Sequence, residues 1–552
     1  MIATHAGIIM ASPSKAPVFV REATGLVRSA GAYDVFAFNG LSVTGPQMVP
    51  PWLLTVPLIA SYALLGPTLL VSAVGAILIA VLYFVLSVSM PRSGGDYVYG
   101  SRLLHPIAGI FSGTMTGIFA GIVLASWGAT AWVPTGLVPI LAYFGSTWNS
   151  PTLMSMASSA TQPIYLGTLA VLSVVAFTVL LGIGGTEKYY VVQNVLVTLG
   201  IIGMLTLLGV LIVTDKNTFV TSLNSFLQPY NMSYDSLKST ATSNGWTVPT
   251  AVSLLLIFPA MVNPYGSMFW VQASGYLGGE IRQVKRSQFI GIIGSVVFWI
   301  VVCGAIFMLM VNMAGFDFVS AHSYLLLNNP SALGSLPPVP QFLIYGMVAA
   351  RNPIIAGLIG IGIIAGTMPV VGWSLLIFSR SVFAMSFDRI LPAFFSDISE
   401  KFGSPLKALT ACGVIALAFA VMTFLPQSAA FVTYFGAAQG FLYIITFVVI
   451  GIGAMLYPYF KRDLYENTCA FKQRVAGIPL ITIVGALVAI FNIIDGYYVM
   501  ALPQYYGVTP QFLGTLIAAI VFSLILYPVV KWYRMKQTGA DISLAFKTLP
   551  PE

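Results

Sequence analysis

NGLSVTGP occupies residues 39–46 and interrupts a long apolar run that extends from Ala32 to Ala63. Glycine and proline inside a spanning helix free backbone polar groups that hydrocarbon cannot satisfy, so such interruptions are tolerated where they line a cavity. A second interruption, PAMVNPYGS at residues 259–267, lies within the apolar run Val248–Tyr276. Either one alone is more typical of a packing kink, because glycine and proline are common in membrane helices. The pair together predicts two broken helices around a binding site.

The composition is that of a protein that crosses a membrane many times. Of the 552 residues, 58% are hydrophobic and 7% are charged, whereas about a quarter of the residues of a soluble protein are charged. Apolar runs of about 20 residues, the length that a helix needs to cross the hydrocarbon core, follow one another from Ala32 to Trp532. We therefore predict an all-α polytopic membrane protein. The 24 Lys and Arg residues are too scattered to form a nucleic-acid-binding face.

Apolar runs separated by polar clusters predict about twelve transmembrane helices. The predicted spans are Ala32–Ala63, Pro67–Ser89, Ile107–Tyr143, Ile164–Leu181, Tyr189–Val213, Val248–Tyr276, Gln288–Asn312, Pro353–Met385, Leu406–Leu425, Ala429–Tyr457, Ile478–Met500 and Gln511–Trp532. Cytoplasmic loops should hold most Lys and Arg residues. With the N-terminus inside, only Lys216, Lys238 and Arg351 of the 24 fall outside, which leaves 21 inside. This asymmetry supports twelve spans with both termini in the cytoplasm.

The interrupted spans are the first and the sixth, and this spacing predicts a 5+5 inverted repeat with two extra helices after it. The predicted segments are a cytoplasmic N-terminal tail (1–31), a ten-helix core (32–457, with repeats at about 32–213 and 248–457), two additional helices (458–533) and a cytoplasmic C-terminal tail (534–552). Two longer outer connections, Asp215–Thr247 and Gly315–Asn352, should form partly structured caps. We expect no cleaved signal peptide.

Two broken helices offer a particular kind of binding chemistry. The N-terminal end of a half-helix exposes N–H groups and the positive end of the helix dipole, which would hold a carboxylate, while freed carbonyl groups would hold an ammonium group or a cation. A zwitterionic amino acid fits both. The sequence therefore predicts a secondary transporter of amino acids or closely related molecules.

Three motifs then indicate a family. MPRSGGDYVYGSRLLHP, Met90–Pro106, resembles the P-x-S-G-G-x-Y-x-Y signature after the second span of amino acid–polyamine–organocation (APC) superfamily permeases, which have a LeuT-type fold. GGEIRQVKRS, Gly278–Ser287, resembles that family's motif after the sixth span, with Val284 in place of a proline. SRSVFAMSFDRILP, Ser379–Pro392, resembles the motif after the eighth span, with Arg389 where glycine is usual.

The first span is similar to the family's G-S-G-I-x-x-x-P at Thr44, Gly45 and Pro50, with Val43 and Pro46 departing from that pattern. The order of all four matches is that of the family, so the chain is identified as a member.

The resemblance implies where a substrate would bind. The backbone around Thr44 and Gly45 would receive the α-carboxylate, with hydroxyl groups from Ser42 and Thr44, and carbonyl groups from Asn263 to Gly266 would receive the α-ammonium group. Three aromatic side chains could close over the ligand as a gate, although each is more often plain packing: Tyr265, Phe269 and Trp270. Counting back from the motif after the sixth span places Gln272 near a frequent acid of the family.

The coupling ion stays open between H+ and Na+, as does exchange without net ion flow. Thr367 falls near a sodium-binding position of the fold, but a hydroxyl group on a helix more often bonds its own backbone. Lys188 lies at the cytoplasmic start of the fifth span, and no lysine follows at mid-depth, where proton-coupled relatives can carry one.

The acids near the proposed site favour a neutral substrate. Asp34 and Asp495 lie toward span ends, and Glu280 lies at the inner end of the sixth span, so no acid is expected at mid-depth. A second cation on the substrate would lack a partner there. We therefore predict neutral amino acids as the substrate.

Other classes fit less well. An intramembrane enzyme would need clustered catalytic groups, yet His5, His105 and His322 lie outside the core and HExxH is absent. The three cysteines have no metal-site spacing, and we expect no cofactor. A channel should repeat a pore element or form a charged ring. The alternatives that stay open are an amino acid or polyamine exchanger and a non-transporting sensor or subunit. The expected location is the cell membrane, in an unknown oligomeric state.

Overall fold

The computed structural model describes residues 25–42, 45–334, 336, 341–539, 541–546 and 549. Within these residues the chain is almost entirely helical, apart from one antiparallel hairpin that pairs Arg474–Val475 with Ile478–Pro479. The chain is thus an all-α polytopic membrane protein, as its composition predicts.

The long helices follow the predicted order of spans. They are Ala32–Ser42 with Gly45–Ile59, Leu65–Ser89, Pro106–Thr147, Pro163–Val213, Leu254–Tyr276, Val284–Ala314, Pro353–Thr367 with Val370–Phe387, Leu406–Met422, Pro426–Phe460, Leu480–Ala501 and Pro510–Thr538. In the described part of the chain, nine helices are long and apolar enough to cross a membrane. Pro163–Val213 covers the fourth and fifth predicted spans, and the shorter apolar helices Val49–Ile59 and Leu406–Met422 fall at the first and ninth. A helix therefore matches each of the twelve predicted spans.

The fourth span turns into the fifth at Gly185, where φ is +68° and ψ is −178°. Glycine is the residue that adopts this backbone conformation readily, because it has no Cβ. The turn lies between Leu181 and Tyr189, the residues at which the sequence ends one predicted span and begins the next.

The shorter helices lie in the connections: Asp96–Leu103, Pro151–Ser159, Lys216–Leu227, Tyr234–Ser243, Phe316–Asn328, Gln341–Ala350, Arg462–Thr468 and Pro503–Tyr506. Four of them belong to the two long connections, which are therefore structured caps. Phe316–Asn328 packs on the second half of the first span, where Ser323 Oγ donates to the Leu53 carbonyl at 2.7 Å. That carbonyl lacks its usual helical partner because Pro57 has no N–H group, so the cap satisfies a backbone group that proline leaves free.

Apolar side chains cover the outer surface of the bundle. Leu70 is 69% exposed, Val213 is 81% exposed and Ile354 is 82% exposed, together with many other large hydrophobic side chains on the spans. A surface of this kind suits lipid rather than water.

Inside the bundle, the fifth and eighth spans approach closely through small residues. A Cβ atom built on Gly203 would lie 2.7 Å from the Cα atom of Gly362. Small residues allow such backbone approach, and they are enriched where membrane helices pack.

Candidate functional site

The sixth span changes its helical form near its middle. Ile257–Met268 is a regular α-helix that continues through Pro264, and Phe269–Tyr276 then continues as a 3₁₀-helix of eight residues. Runs of 3₁₀-helix longer than three or four residues are uncommon and often mark a hinge or a strained site. The irregular segment thus lies after Ser267, and the predicted interruption within residues 259–267 is wrong in its position. The α-helix accommodates Pro264 because a single proline in a membrane helix removes only one hydrogen bond, which neighbours can replace.

Polar side chains join the first and sixth spans on the N-terminal side of this change of form. Trp52 Nε1 donates to Ser267 Oγ at 3.1 Å, and the Asn263 side-chain amide donates to Thr55 Oγ1 at 2.9 Å. Ser267 also donates to the Asn263 carbonyl at 2.7 Å. Trp52 is buried, so its bond to Ser267 is shielded from solvent.

A second set of contacts joins the same two spans on the C-terminal side of the change of form, within the 3₁₀-helix. Asn39 donates to Ser274 Oγ at 3.0 Å and accepts from the Ser274 backbone N–H at 2.9 Å. Ser274 Oγ in turn donates to Gln288 Oε1 at 2.6 Å. Asn39, Ser274 and Gln288 are all buried. Hydrogen bonds therefore join the two spans both before the change of form and within the 3₁₀-helix that follows it.

Of the predicted ligands, Asn263 and Gly266 come together. They lie three residues apart, on one face of the helix, and both are half-buried. One helix of the first span ends at Ser42 and the next begins at Gly45, so the two residues lie at a similar depth in that span. Thr44 lies outside the described residues, as does the break predicted around it.

Two of the three predicted gating residues contact different neighbouring spans. The Tyr265 ring lies 4.9 Å from the ring of Phe491 in the eleventh span, away from Asn263. Trp270 contacts Trp373 of the eighth span at 6.1 Å between ring centroids and Tyr443 of the tenth span at 4.5 Å. The Phe269 side chain lies outside the described part. Trp270 therefore packs toward the eighth and tenth spans, whereas Tyr265 packs toward the eleventh.

Thr367 ends the helix Pro353–Thr367, just before the turn at Met368 and Pro369. Its hydroxyl group donates to the Ile363 carbonyl at 2.8 Å, which is the ordinary role of a hydroxyl in a helix. Its oxygen lone pairs are still able to accept, because donation uses only the hydrogen.

The three family motifs meet at one end of the bundle, which we call the motif end. The Gly94 backbone N–H donates to the Tyr276 carbonyl at 3.1 Å, and Gly94 and Gly95 both have positive φ angles. A Cβ atom on Gly95 would lie 2.8 Å from the Tyr276 ring. The glycine pair thus permits both the turn and the close approach to the sixth span.

Two buried ion pairs close the motif end. Arg380 binds Glu280 through two bonds, at 2.6 Å from Nε to Oε1 and 3.0 Å from Nη2 to Oε2. Arg102 lies 2.9 Å from Asp388. Burial alone would lower the pKa of Arg102, but the carboxylate of Asp388 raises it overall.

Asp96 adds a third polar centre in the short helix between the second and third spans. It accepts from Thr116 Oγ1 at 2.8 Å and from the Tyr276 hydroxyl at 2.7 Å, and it also accepts from Tyr83. Burial raises the pKa of Asp96, although hydrogen bonds from Tyr83, Tyr276 and Thr116 act in the opposite direction. This network joins the second, third and sixth spans.

Two buried polar side chains, Gln272 in the sixth span and Asp495 in the eleventh, were not among the predicted site residues. The Gln272 amide and the Asp495 carboxyl have no hydrogen-bond partner among the described residues, although both are buried. Asp495 lies six residues before the end of Leu480–Ala501, inside the span rather than at its edge. A signal was available for Asp495, because an ionisable residue in an apolar run marks a functional site by default.

One protein family matches nearly the whole helical bundle. The family model described as "Amino acid permease" matches residues 36–526. No curated protein matches the chain. The match covers all three motifs and the first and sixth spans, and it indicates a transporter rather than an enzyme. This membrane protein therefore belongs to the amino acid permease family of the APC superfamily.

Proposed function

We propose that this permease carries neutral amino acids by alternating access around a site between the first and sixth spans. The observation that supports it best is that hydrogen bonds join these two spans on both sides of the point where the α-helix Ile257–Met268 changes to the 3₁₀-helix Phe269–Tyr276. Half-buried Gly266, in the last turn of the α-helix Ile257–Met268, would offer its backbone carbonyl group to an α-ammonium group there, beside half-buried Asn263. The N-terminal end of the helix that begins at Gly45 would offer backbone N–H groups to the α-carboxylate.

A neutral side chain on the substrate follows from the charges of the two spans. No Asp or Glu occurs in residues 35–95 or 236–279, which include most of the first and sixth spans. A substrate with a second cation would lose its hydration without gaining a partner. We therefore favour neutral over dibasic amino acids and over polyamines.

The arrangement we infer is a LeuT-type inverted repeat, with halves at about 32–213 and 248–457. Each half begins with a span that carries one side of the site, and the motif end would face the cytoplasm with both termini. The host membrane would be the cell membrane, and the distribution of Lys and Arg favours both termini on its cytoplasmic side.

Transport would be driven by a proton or sodium gradient. Thr367 is the candidate for a sodium ligand, because it lies where one helix of the eighth span ends and carbonyl groups lose their helical partners. Exchange of one amino acid for another is the alternative.

The test is uptake of a labelled mixture of neutral amino acids into proteoliposomes under an imposed proton or sodium gradient. Accumulation that requires one gradient supports symport and names the ion. Trans-stimulated exchange without a gradient supports the exchanger. Binding without flux supports a sensor, and neither binding nor flux by folded protein contradicts the substrate assignment.

A further inference from the structure

The eleventh span carries a carboxyl group in an unusual position. Asp495 is fully buried, and neither of its oxygen atoms has a hydrogen-bond partner among the described residues. It lies six residues before the end of its helix, or about 9 Å at 1.5 Å per residue. An ionised carboxylate in such a place is strongly unfavourable unless it is paired.

Among the described residues, no cationic side chain is paired with it. The eleventh span packs on the second, sixth and tenth spans. None of these, over residues 65–89, 257–276 and 426–460, contains Lys, Arg, His, Asp or Glu. Within the described part of the chain, the titratable groups that interact electrostatically with Asp495 are two tyrosines, Tyr265 of the sixth span and Tyr506 of the short helix after the eleventh. In this conformation the carboxyl group is therefore stable only with its proton.

Both tyrosines connect Asp495 to the sixth span. The Tyr265 ring packs against Phe491 at an interplanar angle of 57°, and Phe491 lies one helical turn before Asp495 on the same face. The Tyr506 hydroxyl donates to the Pro259 carbonyl at 2.5 Å, near the start of the sixth span. The surroundings of Asp495 are thus built from the same helix that carries Asn263 and Gly266 on another face.

We propose that Asp495 is the proton-binding site of this transporter, and that its protonation is linked to the position of the sixth span. With the sixth span packed against Phe491, the carboxyl group holds a proton. When the sixth span moves away during alternating access, water or the Tyr265 hydroxyl reaches the carboxyl group, and the proton leaves as the carboxylate forms. One proton bound on one side and released on the other would accompany each substrate. This inference rests on the proposed function, because it names the coupling ion of that cycle.

The transport test compares wild type with Asp495→Asn, which has nearly the same shape and imitates the protonated form. We expect the variant to keep exchange of labelled neutral amino acid, while its accumulation under a proton gradient falls to an inside-to-outside ratio of about one, because the linkage between proton and substrate is lost. Asp235→Asn, in an exposed part of the outer connection, should accumulate substrate like wild type. Wild-type accumulation by Asp495→Asn, or accumulation by wild type that depends on sodium alone, would overturn the proposal.

A second measurement does not depend on transport. Infrared difference spectra of the protein in lipid, taken between acidic and alkaline pH, should show the C=O stretch of a protonated carboxyl group that is missing from Asp495→Asn. If the spectra of the two proteins are identical, the proton site is refuted even where transport is active. If the band is present and specific to Asp495 but wild type moves no amino acid, the proton site stands and the proposed substrate fails.

Discussion

At the scale of single residues, the bond from Trp52 to Ser267 offers the most specific test of how the first and sixth spans are joined. Trp52→Phe keeps an aromatic ring but removes the Nε1 donor, which leaves the buried Ser267 hydroxyl without this partner. We expect a loss of about 1–3 kcal/mol in unfolding free energy, measured by thermal unfolding in detergent. Trp148→Phe is the matched control, because Trp148 is 60% exposed, and an equal loss there would contradict the assignment.

Asp96 gives a test that depends on pH. Because burial raises the pKa of Asp96 in the folded protein, its stabilising contribution is present at low pH and is lost as pH rises through that raised pKa. Asp96→Asn cannot ionise. The stability of wild type relative to Asp96→Asn should therefore fall as pH rises, in thermal unfolding at a series of pH values. A difference that grows with pH would show that the hydrogen bonds outweigh burial.

The residues of the proposed site differ in how far their positions in the fold can be predicted from the sequence. Glycine and proline in an apolar run single out the segment, the family resemblance implies that Asn263 and Gly266 are its ligands, and the structure places both on one half-buried face. Tyr265 was grouped with them, yet one residue along a helix turns the side chain by about 100°, so it faces the eleventh span. Which aromatic faces which neighbour depends on tertiary packing and is not written in the local sequence.

At the scale of elements, the contact of the fifth and eighth spans should tolerate no added atom. Gly203→Ala would put its Cβ 2.7 Å from the Cα atom of Gly362, so the two backbones must separate. We expect lower thermal stability by about 1–3 kcal/mol and slower transport. Gly209→Ala, on the same helix with nothing within 4 Å of the added atom, should leave both unchanged. Equal behaviour of the two variants would mean that the close contact is absent.

The sixth span shows why an element can be predicted while its detail is not. Proline and glycine indicated an irregular segment, and there is one, but it begins at Phe269, after the predicted residues. The 3₁₀-helix coincides with the buried bonds of Ser274 to Asn39 and Gln288. The bond to Asn39 joins residues 235 positions apart in sequence, so local propensity does not locate it.

At the scale of the whole molecule, the buried pair of Glu280 and Arg380 should help to keep the motif end closed. Glu280→Gln leaves a buried guanidinium without its carboxylate, at a cost of about 3–5 kcal/mol. We expect that end to open more often. Cys412 is buried and close enough to Arg380 to interact with its charge, so maleimide labelling of Cys412 should be faster, with Cys303 and Cys469 replaced by alanine.

The matched control for this variant is Asp397→Asn. It removes the ion pair with Lys407, in which both side chains are more than half exposed, and exposed pairs contribute little. Labelling of Cys412 should stay at the wild-type rate. If Glu280→Gln labels no faster than Asp397→Asn, the ion pair does not control access from the motif end.

The number and order of the spans could be predicted because each needs about 20 apolar residues, and that requirement is local. The motifs likewise identified the family before the structure placed them together. Buried partners such as Asp495 with the sixth span join residues 230 positions apart (495 against 265), and no pattern in one sequence measures such a distance.

The central claim is that amino acids cross through a site between the first and sixth spans. It is tested most directly by uptake of labelled neutral amino acids into proteoliposomes that contain wild type, Gly266→Leu or Gly514→Leu. Gly266 lies at the proposed site, whereas Gly514 has nothing within 4 Å of an added Cβ. We predict uptake by wild type and Gly514→Leu and none by folded Gly266→Leu. Full uptake by Gly266→Leu, or no uptake or exchange by folded wild type, would contradict the account.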